Sequence, residues 1–205
     1  MNAPIQARAQ LTEDLLLDAA ETLLRKGGED ACTMPEVAHH AGRSIGALYK
    51  RFPDKDALLR KVFSRYFART AEHNAAMMDQ LGELPLPALL SSMIHGMVHG
   101  QRRERRLLGA FHTFVRCHPD KAFRREAHKM SGAALARFRE LMLAHRDVIK
   151  HPDPETAVDT ALATLSLTIQ GWAQAGDESP LARISEETQA RELTRMTLAY
   201  LKNLP

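Results

Sequence analysis

Thr33, Ser44 and Tyr49 supply hydroxyls, and Lys50, Arg51 and Lys55 supply positive charge, all within residues 33–55. Hydroxyls and cations at this density are what a protein needs to hold the sugar–phosphate backbone of duplex DNA: the hydroxyls donate to phosphate oxygens and the cations release counterions. Between them stand Ile45, Gly46 and Ala47, the last two with almost no side chain, so a backbone carrying them can come close to base edges. Arg43, Lys50, Arg51, Lys55, Arg60, Lys61, Arg65 and Arg69 face only Asp54 and Asp56 over residues 43–69. This local patch says more than the overall balance, a formal charge of +3 with a pI near 9.0. Lys55 follows Asp54, which reads as a helix N-cap, so it sits where the helix dipole mildly disfavours a cation; an anion-binding role accounts for it.

The elements that must position these side chains are legible from capping. Thr33 with Glu36 three residues on is a capping box, and Pro35 fits the first turn of the helix it opens. That helix runs through Val37 and Ala38 and stops near Gly42, which can adopt a left-handed conformation. Ser44 caps a second helix with room for about two turns, over residues 45–50. Two capped helices around a glycine turn make a helix-turn-helix, whose second helix enters the major groove. The competing reading is a helical hairpin with a solvated basic face in an ordinary helical protein.

Leu16-Leu17-Asp18-Ala19-Ala20, Gly27 or Gly28, Thr33, Val37-Ala38, Ala41-Gly42, Leu48-Tyr49, Phe52 and Lys55-Asp56-Ala57-Leu58-Leu59 together resemble the N-terminal domain of the TetR family of transcriptional regulators, over about a third of the chain. The resemblance implies a three-helix DNA-binding domain on an all-α effector and dimerisation domain. By position it gives phosphate contacts to Thr33, Tyr49 and Lys55, and places Ser44, Ile45, Ala47 and Lys50 at bases or flanking backbone. Two positions depart from the pattern. Arg43 stands where the family has a small apolar residue, and either covers the turn with its stem or adds a phosphate contact. Glu13 stands where the family often has arginine, leaving Arg8 as the nearby candidate to replace it.

Residues 55–80 form one long helical pattern through Leu59, Val62, Phe63, Tyr66 and Phe67, read as a linking helix. After Gly82, Pro85 and Pro87, helices are expected over residues 88–100, 105–117 and 121–146, with a stop at His151-Pro152-Asp153-Pro154. The reading is an all-α protein of about nine helices: residues 1–54 a helix-turn-helix DNA-binding domain, residues 55–205 an effector-binding and dimerisation domain. Cys32 and Cys117 lie far apart with no CxxC spacing, so neither a disulfide framework nor a thiolate metal site is expected. The first ten residues lack the apolar core of a signal peptide, and no stretch approaches the ~20 apolar residues of a membrane span. A cytoplasmic protein with no membrane association is expected.

In the last two helices Val158, Leu162, Leu165, Ile169 and Trp172 form one stripe, while Ala163, Ser166, Gln170 and Ala173 line another face; Leu193, Met196, Tyr200 and Leu204 recur at a similar period. Two such helices per subunit can build a four-helix interface, so a homodimer is expected through Val158, Leu162, Leu165, Ile169, Leu193, Met196 and Tyr200; the alternative is that they close the protein's own core. Met93, Met97, Phe111, Phe114, Met130, Ala134, Phe138 and Trp172 are candidates to line a pocket for an apolar or amphipathic effector, methionine adapting to irregular shapes. His95 and His99 share one helix face, but no acid or thiolate completes a ligand set in the sequence, so no metal and no cofactor is assigned. The run Arg102, Arg103, Arg105 and Arg106 reads as a solvated helix start. No GxSxG, P-loop, GxGxxG or HExxH motif is present, and no histidine has a visible orienting partner, so catalysis is not expected. A helical His-containing enzyme or a metal-responsive protein is the competing class. The expected function is that of a dimeric repressor on a palindromic operator, released by a small-molecule effector.

Overall fold

A computed structural model describes residues 3–175 and 179–202, so Leu204 lies outside the described residues, as does the side chain of Arg8. Among the described residues there are nine α-helices, a 3-10 turn at Pro180–Arg183 and no strand. The helices are α1 (Ala3–Ala31), α2 (Met34–His40), α3 (Ile45–Tyr49), α4 (Lys55–Gly82), α5 (Leu86–Arg103), α6 (Arg105–Cys117), α7 (Lys121–Leu143), α8 (Pro154–Gln174) and α9 (Glu186–Lys202). Capping sets several boundaries. Asp54 accepts from the Ala57 N–H at 2.7 Å to start α4, and Asp153 accepts from the Thr156 N–H at 3.1 Å to start α8, with Pro154 in its first turn. α1 is interrupted at Gly28, whose φ of 68° only glycine adopts without strain.

The chain packs as two compact units, residues 1–69 with 106–130, and residues 70–105 with 131–205. This packing division differs from the cut at 54/55. The apolar side of the first part of α4 (Leu58, Leu59, Val62, Phe63) and of α6 (Leu107, Phe111, Val115) is buried in the same core as Leu16, Leu17, Leu24, Val37, Ala38 and Leu48 of α1–α3. Each such leucine or phenylalanine contributes about 1.5–3 kcal/mol of burial, and α1 with the two short helices α2 and α3 alone offers less apolar surface than this shared core. Aromatic rings fill the middle: Phe63 meets Phe111 edge-on at 5.2 Å and Phe67 at 4.6 Å.

In the second unit the buried side of α5 (Leu86, Leu89, Leu90, Met93, Ile94, Val98) packs with Phe138 and Met142 of α7 and with α8 and α9. Val158, Leu162, Leu165, Ile169 and Leu193, expected at a subunit interface, are buried in this core. The reason is helical phase: α8 carries no charge after Asp159, so its leucine stripe goes to the nearest apolar surface, which its own chain supplies. The outward apolar side chains on these two helices are Leu167, Met196 and Tyr200.

Candidate nucleic-acid interface

Thr33 caps α2, its Oγ1 accepting from the Glu36 N–H at 3.3 Å, and Ser44 caps α3, its Oγ accepting from the Ala47 N–H at 3.2 Å. Between them Gly42 has φ of 61°, and the Arg43 N–H donates back to the Ala38 carbonyl at 2.9 Å. This left-handed residue ends α2 and turns the chain into α3. A five-residue helix has little stability of its own. Its inward side chain, Leu48, is fully buried against the core of the first unit, so the opposite side is turned out. Arg43, Ser44, Ile45, Gly46, Tyr49 and Lys50 are all exposed, and Ala47 is half-buried. The outward surface of α3 is therefore a narrow strip with a hydroxyl at its start, no bulk at Gly46, one apolar side chain at Ile45, and a phenol with a cation at its end.

Two of the cations have partners inside the unit. Lys55 Nζ donates to the Glu29 carbonyl at 3.1 Å and lies 3.4 Å from the Glu29 carboxylate, remaining about a third exposed beside α3. Arg51 donates to the Ala9 carbonyl of α1 at 2.5 Å, so it ties the end of α3 to the first helix. Its expected contact with a nucleic acid competes with this bond. Glu13, the departure noted above, pairs with Lys61 at 3.5 Å.

A buried ion cluster that sequence reasoning missed fixes α4 on α1. Glu21 is almost fully buried and accepts from Arg65 Nη2 at 2.7 Å, Arg65 Nε at 3.1 Å, Arg69 Nη2 at 2.7 Å and Arg25 Nη2 at 3.2 Å. Burial pushes the Glu21 carboxyl up, but the hydrogen bonds and charges of Arg69 and Arg65 outweigh it and hold the group below the usual carboxylate range. Only the apolar setting of Glu21 between Ala20 and Leu23 hinted at this in the sequence. Arg65 and Arg69 thus leave the basic patch that their spacing suggested.

A second cluster joins the start of α4 to the α6–α7 corner. His118 is buried; its Nδ1 accepts from the Asp120 N–H at 3.0 Å, which puts the proton on Nε2, and that N–H donates to Asp56 at 2.6 Å. Arg60 bridges Asp56 (2.7 Å) and Asp120 (3.0 Å) and lies 4.4 Å from the centre of the Phe123 ring. Burial pushes the Asp56 carboxyl up, and the hydrogen bonds from Arg60 and His118 bring it below its ordinary value. Cys32 lies in the same core, where burial pushes its thiol up to about 11, an inert side chain rather than a nucleophile.

The scaffold around the strip matches known proteins. Residues 16–62 match the family described as "Bacterial regulatory proteins, tetR family". The likeness to that family is therefore carried by the N-terminal helix-turn-helix segment, residues 16–62. The transcriptional repressor KstR of Rhodococcus jostii (strain RHA1) is 43% identical over 54 residues, 26% of each chain, so the match spans about a quarter of that relative. Among solved structures, a TetR-family transcriptional regulator from Mesorhizobium loti superposes with a TM-score of 0.68 at 20% identity, covering 94% of this chain and 97% of that one. FadR of Bacillus subtilis in complex with stearoyl-CoA superposes with a TM-score of 0.68 at 15% identity, covering 90% and 97%. At these identities the likeness is one of fold.

The remaining expected site residues fall in several places. Met93 and Phe138 are buried in the core of the second unit, with Met97 and Trp172 packed at its edge. Phe111, Phe114 and Met130 belong to the core of the first unit, and Ala134 is exposed on α7. Of the expected interface residues only Met196 and Tyr200 are exposed. Among the described residues no helix is long and apolar enough to cross a membrane.

Proposed function

We propose that this chain is a cytoplasmic transcriptional repressor that binds a palindromic operator as a homodimer and leaves it when a small apolar or amphipathic effector binds. Residues 1–54, with Lys55 at the start of α4, read the DNA, and the rest of residues 55–205 serves the effector and the partner. The observation that carries the reading is the outward strip of α3: Ser44, Ile45, Gly46, Tyr49 and Lys50 exposed on a helix whose inner side is anchored by a buried leucine and whose two flanks are capped. Such a strip fits a major groove about 12 Å wide. Thr33, Tyr49 and Lys55, with Arg43, Lys50 and Arg51, take phosphates, while Ser44, Ile45, Gly46 and Ala47 lie at base edges or the backbone beside them.

One short helix makes few base contacts, and a two-fold dimer reading half-sites about 34 Å apart supplies the missing discrimination. Leu167 on α8, with the exposed Ala163 and Gly171 four residues to either side of it, and Met196 and Tyr200 on α9 offer the dimer exposed apolar side chains. The effector lodges among α5, α7 and α8 beside Met93, Met97, Phe138 and Trp172; the stearoyl-CoA held by the structurally similar FadR supports a long apolar ligand. α4 carries residues of both units, so a ligand that prefers one position of it shifts DNA affinity, and by linkage DNA shifts ligand affinity by the same factor.

Selection of bound fragments from random duplex DNA tests the core of this reading. Enrichment of a symmetric site with half-sites one helical turn apart is expected. Recovery of no preferred sequence, with salt-insensitive binding, would overturn it.

A further inference from the structure

Lys55 is read above as a phosphate contact, yet the chain already sets an anion beside it. Its Nζ donates to the Glu29 carbonyl at 3.1 Å and stands 3.4 Å from Glu29 Oε1. We infer that the Glu29 carboxylate is an internal competitor for the phosphate at Lys55, and that it lowers the affinity of this surface for every duplex. The inference rests on the proposed reading of Lys55 as a phosphate contact.

The backbone builds the contact. Gly28 breaks α1 with φ of 68° and ψ of -153°, a conformation that a residue with a Cβ adopts only under strain. The Glu29 carbonyl beyond that break accepts from the Cys32 N–H at 3.2 Å as well as from Lys55, so it is held from its own turn and from α4. Lys55 opens α4, where the positive end of the helix dipole disfavours a cation. Carbonyl and carboxylate offset that cost in the free protein.

The two oxygens hold the ammonium differently. The carbonyl makes a hydrogen bond of ordinary length, whereas 3.4 Å to the carboxylate exceeds the roughly 2.7–2.9 Å of a charge-assisted bond. Lys55 and Glu29 side chains are also 36% and 41% exposed, so the carboxylate can turn away while the carbonyl keeps the ammonium in place. An ammonium has three donors. One stays with the Glu29 carbonyl and a phosphate oxygen takes another, but the phosphate then shares the ammonium with a second negative charge. Binding must either accept that repulsion or give up the attraction between Glu29 and Lys55.

The other acids near Lys55 in sequence have different duties. Asp54 caps α4 through the Ala57 N–H, and Asp56 accepts from Arg60 and His118. Asp30 is exposed next to Glu29 and, among the described residues, is not paired with Lys55. It is therefore the control for a general change of charge.

Fluorescence anisotropy of the full chain with a mixed-sequence duplex of about 40 base pairs, roughly four helical turns, tests the inference. Glu29→Gln should tighten binding by about two- to fivefold per subunit, the range that an exposed ion pair covers, and the gain should shrink as salt rises. Asp30→Asn should change affinity by clearly less. In a Lys55→Ala background Glu29→Gln should have no effect, because the group it competes for is gone. Melting temperatures of the Glu29 and Asp30 variants should stay near wild type. A Glu29→Gln variant that binds no tighter than wild type or than Asp30→Asn, or a gain that survives Lys55→Ala, would overturn the inference and leave the proposed function standing. Failure of the wild-type chain to bind duplex DNA at all would overturn both.

Discussion

Glu21→Gln is the substitution that most directly tests how the DNA-reading unit is held together. The change keeps the volume and one carbonyl-type acceptor, which can still meet the Arg65 guanidinium. It replaces the other oxygen by an NH2 group facing the donors of Arg69 (2.7 Å) and Arg25 (3.2 Å). Hydrogen bonds to charged groups contribute about 1.5–3 kcal/mol each. Arg69 and Arg25 are partly in water, so their share is discounted, and a total loss of about 2–3 kcal/mol is expected. In a chain of this size that is a fall of roughly 4–12 °C in melting temperature. The pH dependence has a definite sign. The folded-state carboxyl lies below its unfolded value of about 4.3, so the stabilisation is fully present above that value and is lost as pH falls through the lower folded-state one. Urea unfolding of both proteins from pH 7 down to pH 3 should therefore show a constant gap above about pH 5 that narrows in acid. A Gln variant within about 0.5 kcal/mol of wild type at pH 7, or a gap that ignores pH, would refute the assignment of this cluster as the clamp between α1 and α4.

Three further outcomes follow from the geometry. Lys55→Ala should weaken binding to every duplex and lower the salt slope by about 1, whereas changes at Ile45 or Lys50 should shift base preference by about 1–3 kcal/mol at particular half-site positions; fluorescence anisotropy over a salt series distinguishes the two. Gly42→Ala should cost about 1 kcal/mol in chemical denaturation, since an added Cβ meets nothing within 4 Å and only the positive φ opposes it. Leu167→Glu combined with Met196→Glu should give folded monomers that lose operator affinity, read by sedimentation and circular dichroism, because both side chains are exposed and their loss leaves the core intact.

Elements with a local cause were legible in the sequence. The caps at Thr33, Ser44 and Asp54 and the turn at Gly42 act within four residues, and α2, α3 and the start of α4 begin where those residues require. What depends on which helix lies opposite was not. The stripe Val158, Leu162, Leu165 and Ile169 has the same period whether it meets α5 and α9 or a second subunit, and only packing shows that it meets its own chain. Arg65 and Arg69 read as solvated bases until Glu21, more than forty positions away, is found between them. Gln189 and His118, two polar groups buried by the fold, gave no periodic signal because polar residues are buried one at a time, wherever a partner happens to be placed.

The two sides of α3 therefore have separable duties. A helix of five residues cannot hold its shape in water, so its conformation is imposed by Leu48 in the core, by the Ser44 cap and by the bond from Arg51 to the Ala9 carbonyl. None of these three involves the outer strip; in the proposed reading the choice of base falls to side chains with no packing role, Ile45 at 43% and Tyr49 at 49% exposure, and Lys50 beside them. On the proposed function, substitutions on the outer strip should change the operator read without a stability penalty, whereas substitutions on the inner side should lower the folded fraction able to bind at all. An exposed isoleucine at the start of so short a helix has no account in the stability of the free chain, and a contact with an apolar base feature such as a thymine methyl supplies one.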